Sequence, residues 1–260
     1  MDRAAASQAA STLHRARAQG LLLDDLGPNG PVTLADAYEV QDELAELTAD
    51  TVAGWKIGCT GAAAQELLGV PHPFGGRVFT GHLLESGAAV AASALQHPAV
   101  EGEIVFELAS ELPARSEPYT PTDVAAATRG IRPAIELVDT RFADLTTAGA
   151  VNLIADVGAN GGLVVGDLLS NWTDLDLAAL EVTMAVGDEM VGQGTGADVL
   201  GHPLEALAWL ANDLSCRGQG LAAGALVSTG TCTQVAPLPP GATAVTDHGP
   251  LGSVEVTWLA

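Results

Sequence analysis

The chain has 260 residues, of which 48% are hydrophobic and 16% charged, a composition that can bury a core in one or two domains. Acidic residues outnumber basic ones 32 to 10, and the formal net charge of -22 argues against nucleic acid or an anionic membrane as a partner. Three widely spaced cysteines, without a Cys-x-x-Cys pair, support neither a disulfide framework nor a zinc site. With no signal-peptide pattern and no 18-residue apolar run, we expect a folded, soluble protein of the cytoplasm.

The elements predicted in the N-terminal part of the chain are helices. An alanine-rich segment over residues 1–20 predicts a helix that Gly20 ends. The sequence from Thr33 to Asp36 has the capping-box pattern in its acidic form and predicts the start of a second helix. A third, short helix is expected over residues 62–68.

Short β-like runs begin near Gly76 and dominate the rest of the chain. They cover residues 77–79, 88–90, 100–108, 134–138, 162–165, 182–186, 189–191, 226–229 and 253–258. Two helices are expected among them. One starts at Pro121, and the other runs from Pro203 to about Arg217 with His202 as its N-cap.

The order of these elements, helices first and then strands with few crossover helices, indicates an α+β fold and argues against a doubly wound parallel sheet. We expect a helical N-terminal lobe over residues 1–52 and a β-rich domain over residues 53–260. No linker or internal repeat separates them, so they are expected to form one continuous structural unit.

Two carboxylates lie two residues apart in the apolar run from Val100 to Phe106. Because successive strand side chains alternate between faces, Glu101 and Glu103 share one face and most of the apolar residues share the other. Two ionised and unpaired carboxylates on a half-buried strand cost free energy, so a positive group is expected between them. A solvated edge strand that carries two acids is the alternative.

A third carboxylate, Glu136, stands between apolar neighbours in another β-like run over residues 133–139. If its strand lies near the first pair, Glu101, Glu103 and Glu136 form an all-oxygen set that suits a hard divalent ion such as Mg²⁺ or Mn²⁺. Zinc would prefer histidine or thiolate ligands. Sequence spacing alone leaves the adjacency of the two strands open.

Lys56 is the only lysine of the chain. On a strand it would share a face with Gly54 and Gly58, which leave open space beside the ammonium group, while its apolar neighbours would face the other way. This environment indicates a functional charge. A strand lysine whose apolar stem packs along the surface is the alternative.

Five motifs occur in order between about residue 33 and the end of the chain. They are Gly-x-Lys-x-Gly-x-Thr at 54–60, Glu-x-Glu-Ile at 101–104, Pro-Ala-Ile-Glu-Leu-Val-Asp at 133–139, Gly-x-Gly-Thr-Gly-Ala-Asp-Val-Leu-Gly-His-Pro ending at 203, and Ala-Trp-Leu-Ala-Asn at 208–212. Together they resemble the 2-keto-4-pentenoate hydratases of the fumarylacetoacetate hydrolase-like superfamily. The resemblance implies a distorted mixed β-barrel or roll, with residues 53–260 as the catalytic domain, in a homodimer or larger homo-oligomer.

The resemblance also implies roles for individual residues. The implied ligands of Mg²⁺ or Mn²⁺ are Glu101, Glu103 and Glu136, and Lys56 is implied to lie in the substrate pocket. The loop over residues 228–233 matches the family's turn whose hydroxyl and amide groups hold the substrate carboxylate. Its implied substrate-binding residues are Thr229, Gly230 and Thr231.

Two departures from the family's pattern bear on acid/base chemistry. Many members carry an acidic residue after the Gly-x-Leu/Val-Phe strand, but the segment from Arg77 to His82 has none, so His82 is a candidate substitute. The family's Ala-Asp-Asn sequence reads Ala-Asp-Val at 155–157. It retains Asp156 as a candidate catalytic residue, with a simple turn residue as the alternative.

The resemblance favours a metal-dependent hydratase that adds water to a 2-hydroxypenta-2,4-dienoate-like acid in the breakdown of aromatic compounds, giving a 4-hydroxy-2-oxo acid. Three alternatives stay open. The first is a 2-oxo diacid decarboxylase of the 4-oxalocrotonate type, for which Arg77 is a candidate partner of the second carboxylate. The others are an acylpyruvate hydrolase or tautomerase, and a relative that binds a ligand without turnover.

Overall fold

The computed structural model describes residues 1–144 and 147–260. Within these residues the α-helices are α1 (Arg3–Gln19), α2 (Leu34–Leu47), α3 (Ala62–Leu68), α4 (Pro121–Ala126), α5 (Ala150–Ala155) and α6 (Pro203–Cys216). The strands are β1 (Val52–Gly58), β2 (Phe74–Phe79), β3 (Leu83–Glu85), β4 (Ala88–Val90), β5 (Ala99–Leu108), β6 (Thr128–Val138), β7 (Asn160–Val165), β8 (Glu181–Val186), β9 (Glu189–Thr195), β10 (Leu226–Thr231), β11 (Ala236–Pro237), β12 (Thr243–Asp247) and β13 (Ser253–Trp258). In this part of the chain, no helix has the length and apolarity that crossing a membrane requires.

The predicted helices are present, and local signals account for their ends. Helix α1 ends at Gly20, whose φ of 63° is the left-handed conformation that favours glycine. Helix α2 begins with a reciprocal capping box between Thr33 and Asp36, as the sequence predicts. Helix α6 begins with His202 as N-cap, and its ring nitrogen accepts from the backbone N–H of Leu204. Helix α5 and strand β12 lacked a clear sequence signal and were not predicted.

The strands form two mixed sheets, which confirms the predicted α+β class and the barrel-like fold. The larger sheet has the order β2-β1-β10-β5-β6-β7-β3, with β11 paired to β5, and it curls into a half-barrel. Its β1–β10 and β3–β7 pairs are parallel, whereas its other pairs are antiparallel. The smaller sheet has the order β4-β13-β12-β8-β9.

The two N-terminal helices share a hydrophobic cluster with β2 and α5. Leu13 of α1 and Leu44 of α2 are buried in the same cluster as Phe74 and Phe79 of β2 and Ile154 of α5. Helices α1 and α2 therefore cover one flank of the half-barrel. The proposed division of the chain at residue 52 stays a prediction.

The register of four neighbouring strands decides which side chains meet inside the half-barrel. Lys56 on β1 pairs with Ser228 on β10, which in turn pairs with Val105 on β5. Glu101 on β5 pairs with Glu136 on β6. Residues that pair across strands project from the same face of a sheet, so all five side chains point into the half-barrel.

Candidate active site and metal centre

Three glutamate side chains meet inside the half-barrel. Since Glu101 pairs directly with Glu136 and Glu103 lies two residues along β5, the sheet brings together the acids that the sequence placed on separate strands. One oxygen of each carboxylate lies within 4.8 Å of the others. Glu103 and Glu136 are fully buried, and Glu101 is half-buried.

The electrostatics of these carboxylates fit a cation. Burial, and after it the charge of Glu136, raises the pKa of Glu101 to about 7, and the same causes raise the pKa of Glu103 well above its usual value. Oε1 of Glu103 and Oε2 of Glu136 are buried without a hydrogen-bond partner among the described residues. A donor set made only of carboxylate oxygens, with unpartnered atoms, suits a hard divalent ion such as Mg²⁺ or Mn²⁺.

Lys56 faces the three carboxylates. Its Nζ lies 3.2 Å from Oε1 of Glu136 and 3.0 Å from the backbone oxygen of Gly158, to which it donates a hydrogen bond. Burial alone would lower the pKa of Lys56, but Glu136, Glu101 and Glu103 together outweigh burial, so the pKa lies above its usual value. The only lysine of the chain is therefore a buried ammonium that offsets part of the negative charge.

A left-handed turn supplies the oxygen that Lys56 binds. Val157, Gly158 and Ala159 have φ values of 50°, 70° and 60°, a conformation that costs free energy in the two residues with a Cβ. The turn packs against β2, where a Cβ added to Gly76 would lie 2.1 Å from the oxygen of Val157. Gly76 is thus required by the close approach of two backbones.

Asp156 anchors this turn, and its side chain lies outside the lining of the cavity. Arg17 Nη2 lies 2.6 Å from Asp156 Oδ1, while the hydroxyl of Thr140 and the backbone N–H of Arg141 donate to Oδ2 at 2.7 Å each. With both carboxylate oxygens bound in this way, the structure supports an anchoring role for Asp156 over the predicted catalytic one. The preference has a physical reason, because a buried, fully bonded carboxylate has no free lone pair directed at a substrate.

In the loop predicted to hold the substrate carboxylate, some residues bond to Glu103 or the backbone and one lines the cavity. The hydroxyl of Ser228 and the backbone N–H of Gly230 both donate to Oε2 of Glu103, the latter at 2.9 Å. Thr229 donates to the backbone oxygen of Ile104 at 2.9 Å and is fully buried. Of the three predicted substrate-binding residues, only Thr231 lines the cavity.

Gly230 permits the bend that directs these donors at Glu103. Its φ is 108°, and a Cβ there would lie 2.3 Å from the hydroxyl oxygen of Thr60. The pairing of β10 with β5 shifts register between Ser228 and Thr231, as in a β-bulge. The irregular end of β10 therefore orients a carboxylate of the cluster.

Arg77 and His82 lie away from the cavity. Arg77 pairs with Trp55 across β1 and β2, so it projects from the face of the sheet opposite to Lys56. Its guanidinium forms an ion pair with Asp42 and stacks 4.7 Å from the centroid of the Trp55 ring. His82 packs edge-on against Phe79, and burial, followed by the charge of Arg17, lowers its pKa. Neither predicted role has support from this geometry.

The cavity that contains Lys56 and Glu101 has a volume of about 660 Å³. Its wall includes residues to which the sequence interpretation gave no role. They are Ala63, Ala64, Leu67, Leu68, Phe74, Leu153, Gln193, Asp198, Gln234 and Val235. Only Asp198 stands at a defined position of a quoted motif, and no local pattern distinguishes the others from ordinary helix, strand or loop positions. Within the described residues, Lys56 is the only cationic side chain in this lining.

Comparison with known proteins places the chain in a family. The profile of the fumarylacetoacetate (FAA) hydrolase C-terminal domain matches residues 77–257. The chain belongs to the fumarylacetoacetate hydrolase family. This confirms the family-level resemblance, and the half-barrel with its cluster of carboxylates is the part of the fold that the matched segment mostly builds.

Individual members of the fumarylacetoacetate hydrolase family resemble the whole chain. A 2-keto-4-pentenoate hydratase of Burkholderia vietnamiensis is 34% identical over 99% of this chain and 98% of its own length. A 4-oxalocrotonate decarboxylase of Pseudomonas sp. is 33% identical over 88% of this chain and 86% of its own. The solved 4-oxalocrotonate decarboxylase of Pseudomonas putida, complexed with magnesium and adipate, has a TM-score of 0.92 at 30% identity and covers 100% of this chain and 99% of its own.

Proposed function

We propose that this protein is a divalent-metal-dependent hydratase that acts on 2-hydroxypenta-2,4-dienoate-like monocarboxylic acids. The observation that carries the proposal is the convergence of three carboxylates, two of them with an unpartnered buried oxygen, beside one buried ammonium. A solved relative that covers the whole chain is complexed with magnesium, which supports the choice of a divalent metal. The hydratase relative at 34% identity supports the reaction.

In this proposal Glu101, Glu103 and Glu136 would hold Mg²⁺ or Mn²⁺, and the ion would supply Lewis acidity for the oxygens of a 2-hydroxy or 2-oxo acid. Lys56 binds and orients the anionic end of the substrate, because it is the only cation in the cavity lining of the described chain. The side-chain amide of Asn160 donates to Oε1 of Glu136 and the hydroxyl of Ser228 donates to Oε2 of Glu103, so both residues orient carboxylates of the cluster. Thr231 offers a hydroxyl in the cavity wall.

The proposed hydration has two steps, an isomerisation and an addition of water. The C2 hydroxyl of the dienoate loses its proton and C5 gains one, which gives the conjugated 2-oxo-3-enoate. The oxygen of water then adds at C4 and a proton adds at C3, which gives a 4-hydroxy-2-oxo acid. Lys56, 3.2 Å from Glu136, is the group of this chain positioned to hold or move a proton at the reacting end.

A monoacid fits the cavity better than a diacid. A second carboxylate needs a cation at the far end, but the described lining has none beyond Lys56 and includes the carboxylate of Asp198. Arg77, the predicted partner for such a carboxylate, lies on the other face of the sheet. The electrostatics of the cavity therefore favour hydration of a monoacid.

Decarboxylation of a 2-oxo diacid is the second candidate. It is favoured by the TM-score of 0.92 with 4-oxalocrotonate decarboxylase, whose crystal contains the dicarboxylate adipate. Both reactions need the same metal-held acid end, so the cluster of carboxylates does not discriminate between them.

The test is to give the purified protein 2-hydroxypenta-2,4-dienoate and 4-oxalocrotonate separately, with Mg²⁺ or with chelator, and to measure water addition and release of carbon dioxide. We expect 4-hydroxy-2-oxopentanoate from the monoacid, and loss of activity with chelator. A higher kcat/KM for release of carbon dioxide from the diacid would overturn the proposal. Metal binding without turnover of either acid would reject both reactions and leave the acylpyruvate hydrolase, the tautomerase and the non-catalytic relative as the alternatives.

The proposal includes a homo-oligomer in the cytoplasm, engaged in the breakdown of aromatic compounds. Three free cysteines support a reducing compartment. Light scattering on the purified protein tests the assembly, and a mass that corresponds to one chain would contradict it.

A further inference from the structure

Helix α3 has an unusual position, because none of its residues is buried. Ala63, Ala64, Leu67 and Leu68 all line the cavity that contains Lys56. The side chain of Leu67 is 82% exposed and belongs to none of the hydrophobic clusters among the described residues. Leu67 stands with other apolar residues in the lining of one cleft, and not singly on the surface, so this face of α3 indicates a contact with a ligand.

The helix is held in place by groups other than Leu67. Leu68 packs against two hydrophobic clusters, and Gln65 donates a 2.9 Å hydrogen bond to the backbone oxygen of Cys59. Gly69 ends the helix with a φ of 64°. These contacts fix α3 over the cavity, so Leu67 is free to serve a ligand and is not needed for the core.

Lys56 and Glu101, which would hold the reacting end of the substrate, line the same cavity as α3. A five-carbon acid fills only part of about 660 Å³, a volume within the range of ~300–1,000 Å³ that encloses much larger ligands. The lining near α3 is apolar and includes Leu153, which belongs to a hydrophobic cluster against which Leu68 packs. The part of a substrate that reaches this wall must be uncharged.

We propose that the apolar face of α3 binds an uncharged hydrocarbon substituent at the C5 end of the dienoate, and that Leu67 determines the preference for it. The inference rests on the proposed function for the direction of the substrate, since the acid end is held at Lys56. It deepens that function by naming the substrate class as 2-hydroxyalka-2,4-dienoates with an alkyl or aryl tail. Val235, another apolar residue of the lining that is 52% exposed, contributes to the same subsite.

Saturated 2-oxo acids test the subsite without turnover. Titration calorimetry on the Mg²⁺-loaded protein would compare 2-oxobutanoate, 2-oxohexanoate and 2-oxooctanoate, with 2-oxoadipate as the diacid of matched length. We expect Kd to fall about twofold to fourfold per added methylene, the range for a half-buried to fully buried group. We expect 2-oxoadipate to bind more weakly than 2-oxohexanoate.

Variants of Leu67 separate the subsite from the acid end. Leu67→Asp should raise the Kd of 2-oxooctanoate about tenfold or more and leave the Kd of 2-oxobutanoate unchanged, because only the long tail reaches α3. Leu67→Arg should reverse the order of 2-oxoadipate and 2-oxohexanoate. Val32→Asp is the matched control, since Val32 is also 82% exposed but lies outside this cavity.

Two results would overturn the inference. One is equal affinity of the wild type for short and long 2-oxo acids, and the other is an equal loss of affinity for 2-oxobutanoate and 2-oxooctanoate in Leu67→Asp. Failure of the proposed function would look different. A normal dependence of Kd on chain length without hydration of any dienoate would retain the subsite and reject the hydratase. Hydration with no dependence on chain length would reject the subsite alone.

Discussion

The side-chain amide of Asn160 donates a 3.0 Å hydrogen bond to Oε1 of Glu136 and leaves Oε2 of that carboxylate without a partner among the described residues. Lys56 lies 3.2 Å from the same Oε1. One oxygen of Glu136 is therefore occupied by protein donors, and the other has no donor among the described residues and is available to a cation. Groups that orient a metal ligand in this way affect metal affinity without touching the ion.

We expect Asn160→Ser to lower the affinity for Mn²⁺ by about 10- to 100-fold, because the shorter side chain no longer fixes the orientation of Glu136. Calorimetric titration of the metal-free protein measures this effect without a substrate. Asn152→Ser is the control, since among the described residues the side chain of Asn152 bonds to the backbone oxygen of Ala148 and to no carboxylate of the cluster. Equal affinities in the wild type and Asn160→Ser would show that Asn160 does not position the ligand.

Glu103→Gln should abolish metal-dependent turnover and leave the fold intact. Burial and then Glu136 raise the pKa of Glu103, so replacing its carboxylate with a neutral amide of the same shape relieves the cost of burying that charge. We expect the increase in Tm on addition of Mg²⁺ to disappear. Glu107→Gln, four residues further along the same face of β5, should keep that increase, because Glu107 is paired with Arg129 and Arg132. Retained activity in Glu103→Gln would contradict the metal site.

Lys56→Met should lower kcat/KM by about 10²-fold or more, since it removes the only cation of the described cavity lining. It should also lower the Tm of the metal-free protein, because the buried carboxylates lose their ammonium partner. Saturating Mg²⁺ should restore most of the Tm without restoring turnover. Unchanged kcat/KM together with an unchanged Tm of the metal-free protein would exclude Lys56 from the site.

His82→Gln should leave turnover unchanged, because His82 lies outside the cavity lining. Its effect should be on stability at low pH. Burial, followed by the charge of Arg17, lowers the pKa of His82 below 6.5, so between its folded and unfolded pKa values the unfolded chain binds the proton more tightly. The contribution of neutral His82 is therefore complete above about pH 6.5 and is lost as the pH falls.

Urea denaturation of the wild type and His82→Gln from about pH 8 to about pH 5 measures this contribution. We expect the free energy of unfolding of the wild type to fall more steeply with acidification than that of the variant. A large loss of kcat/KM at neutral pH in His82→Gln, with an unchanged free energy of unfolding, would instead support the predicted catalytic role of His82.

The sequence predicted the parts of the site that follow from strand alternation. Glu101 and Glu103 share a face because side chains on a strand have a period of two, and Lys56 is separated from Trp55 by the same rule. The capping box of α2 and the His202 N-cap of α6 were likewise readable, since each depends on residues at most three positions apart. These features need only local geometry.

The sequence did not predict the positions of Asp156 and Arg77, because their partners are distant in the chain. Asp156 is bound by Arg17, which lies 139 positions away, and no periodicity of the sequence predicts a contact over that distance. Arg77 was assigned to the pocket from its place beside an altered motif, but the β1–β2 register turns it to the other face. The donors from β10 to Glu103 were also missed, because they depend on the irregular pairing after Ser228.

The position of β10 between β1 and β5 has a consequence for how the protein is made. During synthesis β1, which carries Lys56, and β5, which carries Glu101 and Glu103, leave the ribosome long before residues 226–231. These residues form β10, which must insert between the other two strands. A nascent chain of some two hundred residues would hold every acidic ligand yet lack the strand that joins them to Lys56. The centre can therefore form only after residues 226–231 have been synthesised.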